Sequence, residues 1–361
     1  MARIKTTPED FVVDEIPAYD PCGEGDHLYV RFRKYGRTTS EVVEALARAL
    51  DIAPRDIGVA GLKDKIGVTT QTVSLPRGRA AHTELEPRVR GLEIPGLTVL
   101  ETGWHKNKLK TGHLRGNRFT IVIRDVGDER AVAAAIEAFE AIGREGVPNA
   151  FGAQRFGIDA RNVERAKAWL SGKERPPRDP KARRFSFSSW QSHLFNRVLD
   201  RRYAQGTWAS VVEGDLLMKH GTGGMFVCTD VTTDEVRARA GEVSATGPMI
   251  GDKMRWPDGT ARLLEEEIVN QALEELGVAG DSEFLARLAP LGEGTRRPLR
   301  QWVTELSAER VGATALEPAL GAGALRVQFV LPSGAYATTV IARAIPEIAS
   351  ESDATPATES V

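Results

Sequence analysis

The residues best suited to chemistry in this chain stand together between Gly61 and Gln71, in the run GLKDKIGVTTQ. Asp64 lies between Lys63 and Lys65, with one glycine three positions before it and another three after it. A carboxylate is a competent nucleophile toward a sugar carbon or an activated ring. Two flanking ammonium groups favour its ionised form. A hydrolase would call for a second carboxylate, and none is paired in sequence with Asp64. The same run also suits a solvated turn carrying a surface salt bridge, and one short motif does not separate the two.

Other chemistries lack their residues. There is no GxxxxGK[ST] phosphate loop, and the glycines Gly221, Gly223 and Gly224 lack the strand-to-helix setting of a dinucleotide site. The six His and two Cys form no metal-ligand spacing, and no GxSxG elbow is present. Carboxylate chemistry that needs neither metal nor cofactor is what remains.

Around Asp64 the pattern predicts a scaffold of strands. Asp56 to Ala60 reads as a short strand entering a turn. Thr69 to Leu75 alternates and is rich in Thr and Val, as a half-buried strand would be. Asp64 is thus expected on a tight connection between strands, where catalytic side chains concentrate. Further strands are expected around Phe11 to Ile16, Asp26 to Lys34, Leu97 to Trp104 and Arg118 to Asp125. Thr38 and Glu41 form a capping box for a helix through Leu50. Asp128 caps a second helix to about Glu145, with Val132, Ile136, Phe139 and Ile142 at helical spacing. Pro76 to Pro95 reads as an irregular excursion. The N-terminal part is therefore a mixed α+β sheet.

The character changes near Gly146. NAFGAQRFG reads as a loop, residues 159–202 as basic and helical, and RPPRDPKARR within them as a Pro-rich hinge. Short strands flank the glycines at 221–224, and residues 262–289 look helical. A core strand returns at Ala324 to Pro332, followed by a turn at Ser333-Gly334 and a helix over Ala337 to Ala344. The tail from Ala349 carries acids but no base and is expected to be disordered.

The 361 residues suggest two domains, and 41% hydrophobic with 27% charged residues is ordinary for a globular protein. No apolar run approaches the ~18 residues that span a bilayer, and the N-terminus lacks a signal-like apolar stretch. Cys22 and Cys228 suggest no disulfide framework. A cytoplasmic protein is expected, as a monomer. The net charge of −2 hides two basic runs. Trp104 to Arg118 holds five Lys or Arg and no acid, and Arg161 to Arg202 holds twelve against four acids. With Phe11, Phe119, Phe151, Phe156 and Tyr336 at turns or strand ends, these runs suit either a polyanion partner or plain solvated faces. Most of the Phe would equally be core.

Six stretches, in order, resemble the tRNA pseudouridine synthase D (TruD) family over nearly the whole chain. They are PEDFVVDEI with the later GEGDHLYV, AGLKDKIGVTTQ, LRGNRFTIVIR, VPNAFGAQRFG, FSSWQSHLFNRVLDRR and FVLPSGAYATTV. Gly67 departs from the usual Ala of the family, and Tyr336 stands where Phe also occurs.

The resemblance implies a pseudouridine synthase catalytic fold with a mixed, mainly antiparallel sheet, formed by residues 1–145 and 301–348. A family-specific α+β domain, 146–300, is inserted in it, and 349–361 form the tail. The implied activity is conversion of uridine to pseudouridine in tRNA, at uridine 13 of the D arm, without cofactor or metal. Asp64 takes the place of the catalytic aspartate. Phe11, Asn117 and Tyr336 match nucleotide-contacting positions. Physical reasoning adds Phe119 or Tyr336 to stack the uracil and a buried cation to pair with Asp64, Arg155 first and Lys63 second. Lys106, Lys108, Lys110, Arg183 and Arg184 are expected to contact RNA phosphates. Two alternatives stay open: the same chemistry at another tRNA site or in another RNA, and a non-catalytic RNA-binding protein.

Overall fold

In the computed structural model, residues 1–78, 82–152, 155–157, 161–279, 283–312 and 323–350 are described. They form two compact units, one comprising Met1–Arg144 with the chain from Val303 onward, the other Glu145–Trp302.

The first unit is built on an eight-stranded sheet. Its strands are β1 (Phe11–Pro17), β2 (His27–Lys34), β3 (Gly58–Val59), β4 (Val68–Pro76), β5 (Leu97–His105), β6 (Leu114–Ile123), β7 (Thr304–Val311) and β8 (Ala324–Pro332). Their order across the sheet is β7-β8-β6-β1-β4-β2-β5, with β3 paired to β4. Every pairing is antiparallel except β1 on β4, which is parallel. The sheet is therefore mixed and mainly antiparallel, as expected. Parallel neighbours need a crossover. Here β2, a helix and β3 supply it.

That helix, Thr39–Leu50, starts with the expected capping box. The Thr38 hydroxyl accepts from the Glu41 amide at 3.2 Å, and the Glu41 carboxylate accepts from the Thr38 amide at 2.6 Å. Its Val42, Leu46 and Leu50 pack against Leu28, Val30, Phe32, Val73 and Leu75 of the sheet. A second helix, Glu129–Glu145, is capped by Asp128, which accepts from the Ala131 amide, and buries Val132, Ala135, Phe139 and Ile142.

Three local expectations are corrected. The Thr69 to Leu75 strand is buried on both faces rather than half-buried, because the helix Thr39–Leu50 packs on Val73 and Leu75 while the chain at Leu109, whose amide donates to the Ser74 hydroxyl, covers the opposite face. The Pro76 to Pro95 stretch contains a helix, His82–Arg90, despite Pro87 inside it. Burial of Leu85 and Val89, one helical turn apart, outweighs the amide that Pro87 lacks. Within the expected tail, the Ala349–Ser350 backbone pairs in parallel with Arg3–Ile4. The rest of that tail lies outside the described residues.

The second unit pairs a four-stranded antiparallel sheet with helices. The sheet runs Met225–Val227, Leu216–Lys219, Val243–Met249 and Thr295–Pro298. The long helix Pro180–Ala204 starts inside the segment read as a hinge. Asp179 caps it by accepting from the Ala182 amide at 3.0 Å, and Pro180 takes the first helical position, where no amide is needed. Phe187, Trp190 and Leu194 of this helix enter one core with Ile250 and Val269, while Phe195 and Leu199 enter another with Leu217 and Val243. This unit is also α+β. Among the described residues, no helix is long and apolar enough to cross a membrane.

Phe11, the first residue of β1, is fixed from behind by a buried ion pair. The Arg124 guanidinium donates to both oxygens of the Asp10 carboxylate, at 2.8 and 2.7 Å, and one of those oxygens also accepts from the Thr7 amide at 3.0 Å. Removing one partner strands the other charge, so Asp10→Ala is expected to cost about 3–5 kcal/mol. Asp10→Leu combined with Arg124→Met should recover most of that loss. Urea midpoints of the three proteins check it, and a single variant as stable as the parent would sink it.

Candidate active site around Asp64

Strand register places the candidate residues in rows on one face of the first unit's sheet. The first row runs Phe329, Phe119, Val13, Thr69 and Lys34, each paired with the next. Two residues along each strand, Leu331 pairs with Asn117, Asn117 with Glu15, and Gln71 with Phe32. Paired residues of neighbouring strands share a face, and so do residues two apart on one strand. Phe11, Glu15, Asn117, Phe119, Gln71 and Lys34 therefore point to the same side. The Phe11 and Phe119 rings meet edge to face with centroids 6.2 Å apart, and Phe329 lies 5.4 Å from Phe119 on the other side.

The segment from Gly61 to Gly67 joins β3 to β4 and is held by buried polar groups. The Lys63 amide donates to the Thr39 hydroxyl at 2.8 Å, and that hydroxyl donates to the Gln71 side-chain oxygen at 2.9 Å. The Lys63 ammonium donates to the Glu15 carboxylate at 2.9 Å, while the other oxygen of Glu15 accepts from the Thr72 amide at 3.1 Å. The Lys34 ammonium donates to the backbone carbonyl of Asp64 itself at 2.7 Å. Gly67, at φ +113°, closes the loop against β1, where a Cβ would stand 2.5 Å from the Phe11 carbonyl oxygen. The side chain of Asp64 is exposed above this clamp. Leu62 and Ile66, two positions to either side, are 71% and 44% exposed.

The groups under the loop are charged and desolvated. Burial pushes the Lys34 ammonium down to about 8, against the nearby negative charge of Asp64, which raises it. Lys63, expected as a partner for Asp64, gives its ammonium to Glu15 instead. Arg155 belongs to the second unit, where its guanidinium donates to the Ser188 and Ser192 hydroxyls and lies over the rings of Phe151 and Phe185. Sequence reasoning missed Glu15, Lys34, Thr39 and Gln71. A signal for two of them was present: Glu15 and Lys34 fall on the apolar parity of their strands, in step with Phe11 and Val13 and with Leu28, Val30 and Phe32.

The other expected contacts fall as follows. The side-chain oxygen of Asn117 is buried and finds no hydrogen-bond partner among the described residues. Tyr336 is 43% exposed and precedes the helix Ala337–Ala344, just beyond the end of β8. In the basic run after β5, Lys106 pairs with Glu24 at the surface, Lys108 donates to the Arg55 carbonyl, and Lys110 is exposed. In the second unit Arg183 donates to the Pro177 carbonyl and Arg184 is exposed. Among the described residues, no group of three His, Cys, Asp or Glu could hold a metal ion.

The family model described as tRNA pseudouridine synthase D (TruD) matches residues 1–170 and 179–344. The chain belongs to this family. The tRNA pseudouridine synthase D of Anaeromyxobacter dehalogenans (strain 2CP-C) is 44% identical over 350 residues, covering 94% of this chain and 91% of its own. That of Thermus thermophilus is 40% identical over 341 residues, covering 94% and 87%. A crystal structure bearing the TruD name, from Methanosarcina mazei, matches with a TM-score of 0.74 over 95% of this chain and 93% of that one, at 23% identity. The fold is thus the family's pseudouridine synthase fold.

Glu15 serves two partners at once, and its variants separate them. Glu15→Ala leaves the Lys63 ammonium and the Thr72 amide unsatisfied and should cost about 3–5 kcal/mol. Glu15→Gln keeps an oxygen for Thr72 and should cost distinctly less. Chemical unfolding of both variants reads the difference, and equal losses would show that the Thr72 hydrogen bond contributes nothing and that loss of the ion pair with Lys63 accounts for the whole effect.

Proposed function

We propose that this chain isomerises uridine to pseudouridine in tRNA, at uridine 13 of the D arm, with Asp64 as the nucleophile and without a cofactor. The observation that carries the reading is the Asp64 loop. It presents an exposed carboxylate on a backbone fastened to the sheet by Lys34, Thr39 and Lys63, on the face that bears Phe11, Asn117 and Phe119. Family membership supports the reaction, and the sequence motifs support the position in tRNA.

The reaction breaks the bond from C1′ to N1, turns the uracil, joins C1′ to C5, releases the proton of C5 and takes up one at N1. Substrate and product have the same atoms, so neither an oxidant nor water nor phosphate enters the balance. An ionised carboxylate acting on the nucleotide is the chemistry to be supplied. The target base must leave its stack to reach it. Phe11, Asn117, Phe119 and Tyr336 would hold the flipped nucleotide, with the unpaired Asn117 oxygen free to accept from a uracil or ribose donor. A stacked ring is worth about 1–3 kcal/mol per base. The exposed Leu62 and Ile66 would give the nucleotide apolar surface on both sides of the carboxylate.

The decisive experiment incubates purified protein with total RNA and maps pseudouridine chemically. Pseudouridine at position 13 of tRNA is the expected product. Asp64→Asn should lower turnover by about 10⁴-fold or more with RNA affinity retained. Near-normal turnover of that variant would refute the proposed role of Asp64.

Lysines and arginines that contact phosphates release counterions, so affinity should fall steeply with salt. Exposed side chains not already engaged should matter most. Lys110→Ala and Arg184→Ala should each weaken binding to many tRNAs alike and reduce the salt slope by about 1. Lys108→Ala, whose ammonium holds the Arg55 carbonyl, should act less on the slope. A variant that changes which nucleotide is modified while leaving the slope intact would count against phosphate contact.

A further inference from the structure

We infer that Lys34 is a positioning residue for Asp64, a buried cation that sets the height of the loop and holds positive charge beneath the carboxylate. The inference rests on the reading of Asp64 as the nucleophile. Lys34 is 0% exposed. Its ammonium donates to the Asp64 carbonyl at 2.7 Å and to the Arg37 carbonyl at 2.8 Å. Among the described residues no carboxylate lies within ion-pair distance of it. Two carbonyls need only two neutral donors, and a buried charge without a carboxylate partner is costly. A hydrogen-bond staple alone therefore does not account for a lysine here. The charge has a use in the proposed reaction, because a seated nucleotide takes water away from the Asp64 carboxylate, and a fixed cation beneath it then favours the ionised form.

The groups facing Lys34 are few. Asp64 attracts it, and so more weakly does Glu41 at the start of the helix Thr39–Leu50, while Lys63 repels it. Glu41 is shared with Lys65, and Lys63 with Glu15. Of the two carboxylates that attract Lys34, Asp64 acts more strongly and is not engaged in an ion pair among the described residues. With Lys34 titrating at about 8, raising the pH removes its charge but leaves two N–H donors for the two carbonyls. Position and charge can therefore be separated.

The sign of the stability effect helps. The folded protein binds this proton less tightly than the unfolded chain does. Between about 8 and the ordinary lysine value of 10.5, stability should therefore rise with pH. A loss of rate over the same range would then not reflect unfolding.

The test is single-turnover pseudouridine formation on an unmodified tRNA transcript, across pH values on both sides of 8, with RNA affinity and thermal melting measured in parallel. The wild-type rate should fall above about pH 8, in the direction opposite to stability. Lys34→Met should lower the rate by about 100-fold, the scale of a small misplacement of a catalytic group, with RNA affinity unchanged. Lys34→Met should also lose the break near pH 8. Lys34→Arg, charged at every accessible pH, should lack that break as well. A Lys34→Met enzyme at the wild-type rate, alongside an inactive Asp64→Asn, would overturn the role of Lys34 while leaving that of Asp64 standing. If Asp64→Asn is fully active, the reading of Asp64 fails, and this inference fails with it. If Lys34→Met does not fold, the wild-type profile decides, and a rate flat through pH 8 overturns the inference.

Discussion

One parallel ladder in an otherwise antiparallel sheet determines where the Asp64 loop must lie. Because β1 and β4 run the same way, the segments entering them sit side by side, with Val12 opposite Val68. β2 runs against β4, so its last residue, Lys34, arrives opposite Thr69 at that same edge. The loop that leads into β4 is thus met by the start of β1 and the end of β2. It has no room to swing away. Gly67 must pass close to the Phe11 carbonyl, and the carbonyl of Asp64 lands on the Lys34 ammonium.

Buried cations are met in two ways. In the second unit Arg296 faces Glu265 and Arg202 faces both oxygens of Asp215, while Arg300 donates to the Ala209 and Ala238 carbonyls. The ion pairs satisfy each other and leave nothing to spare. In the first unit Glu15 and Lys63 follow that rule, but Lys34 rests on carbonyls. An incompletely neutralised buried charge is a local expense that stability alone would remove. Departures of this kind are expected where a fold supports chemistry.

Much of this was legible in the chain itself. The capping box at Thr38, the strand Ala324–Pro332 and the helix Ala337–Ala344 follow from local pattern, because each presents one clear apolar face with a clear stop. The helix His82–Arg90 was hidden by Pro87, since its stability comes from tertiary burial and not from propensity. The strand Thr304–Val311, at the edge of the sheet and mostly exposed, carries no apolar periodicity to read. Around Asp64 the nucleophile's loop was readable from its glycines and strands. The partner assigned to Lys63 was not, because proximity in sequence says little about where a long side chain reaches across a sheet. Glu15 and Lys34 sat in plain view as charged residues on an apolar parity, a sign of buried ions that is easily passed over when alternation is scored only for hydrophobicity.

The clamp under Asp64 also changes how that loop should be classed dynamically. Connecting segments usually open with little free energy and exchange their amide hydrogens quickly. Here the Lys63 amide is donated to the buried Thr39 hydroxyl and the Thr39 amide to the Lys63 carbonyl, while the Lys63 ammonium reaches Glu15 on β1. Opening this segment fully requires separating it from the helix Thr39–Leu50 and from β1. These amides would exchange with the slow set of the central strands rather than with the surface loops. By that measure the segment carrying the carboxylate behaves as part of the core, and the nucleotide, not the loop, does the moving when the two meet.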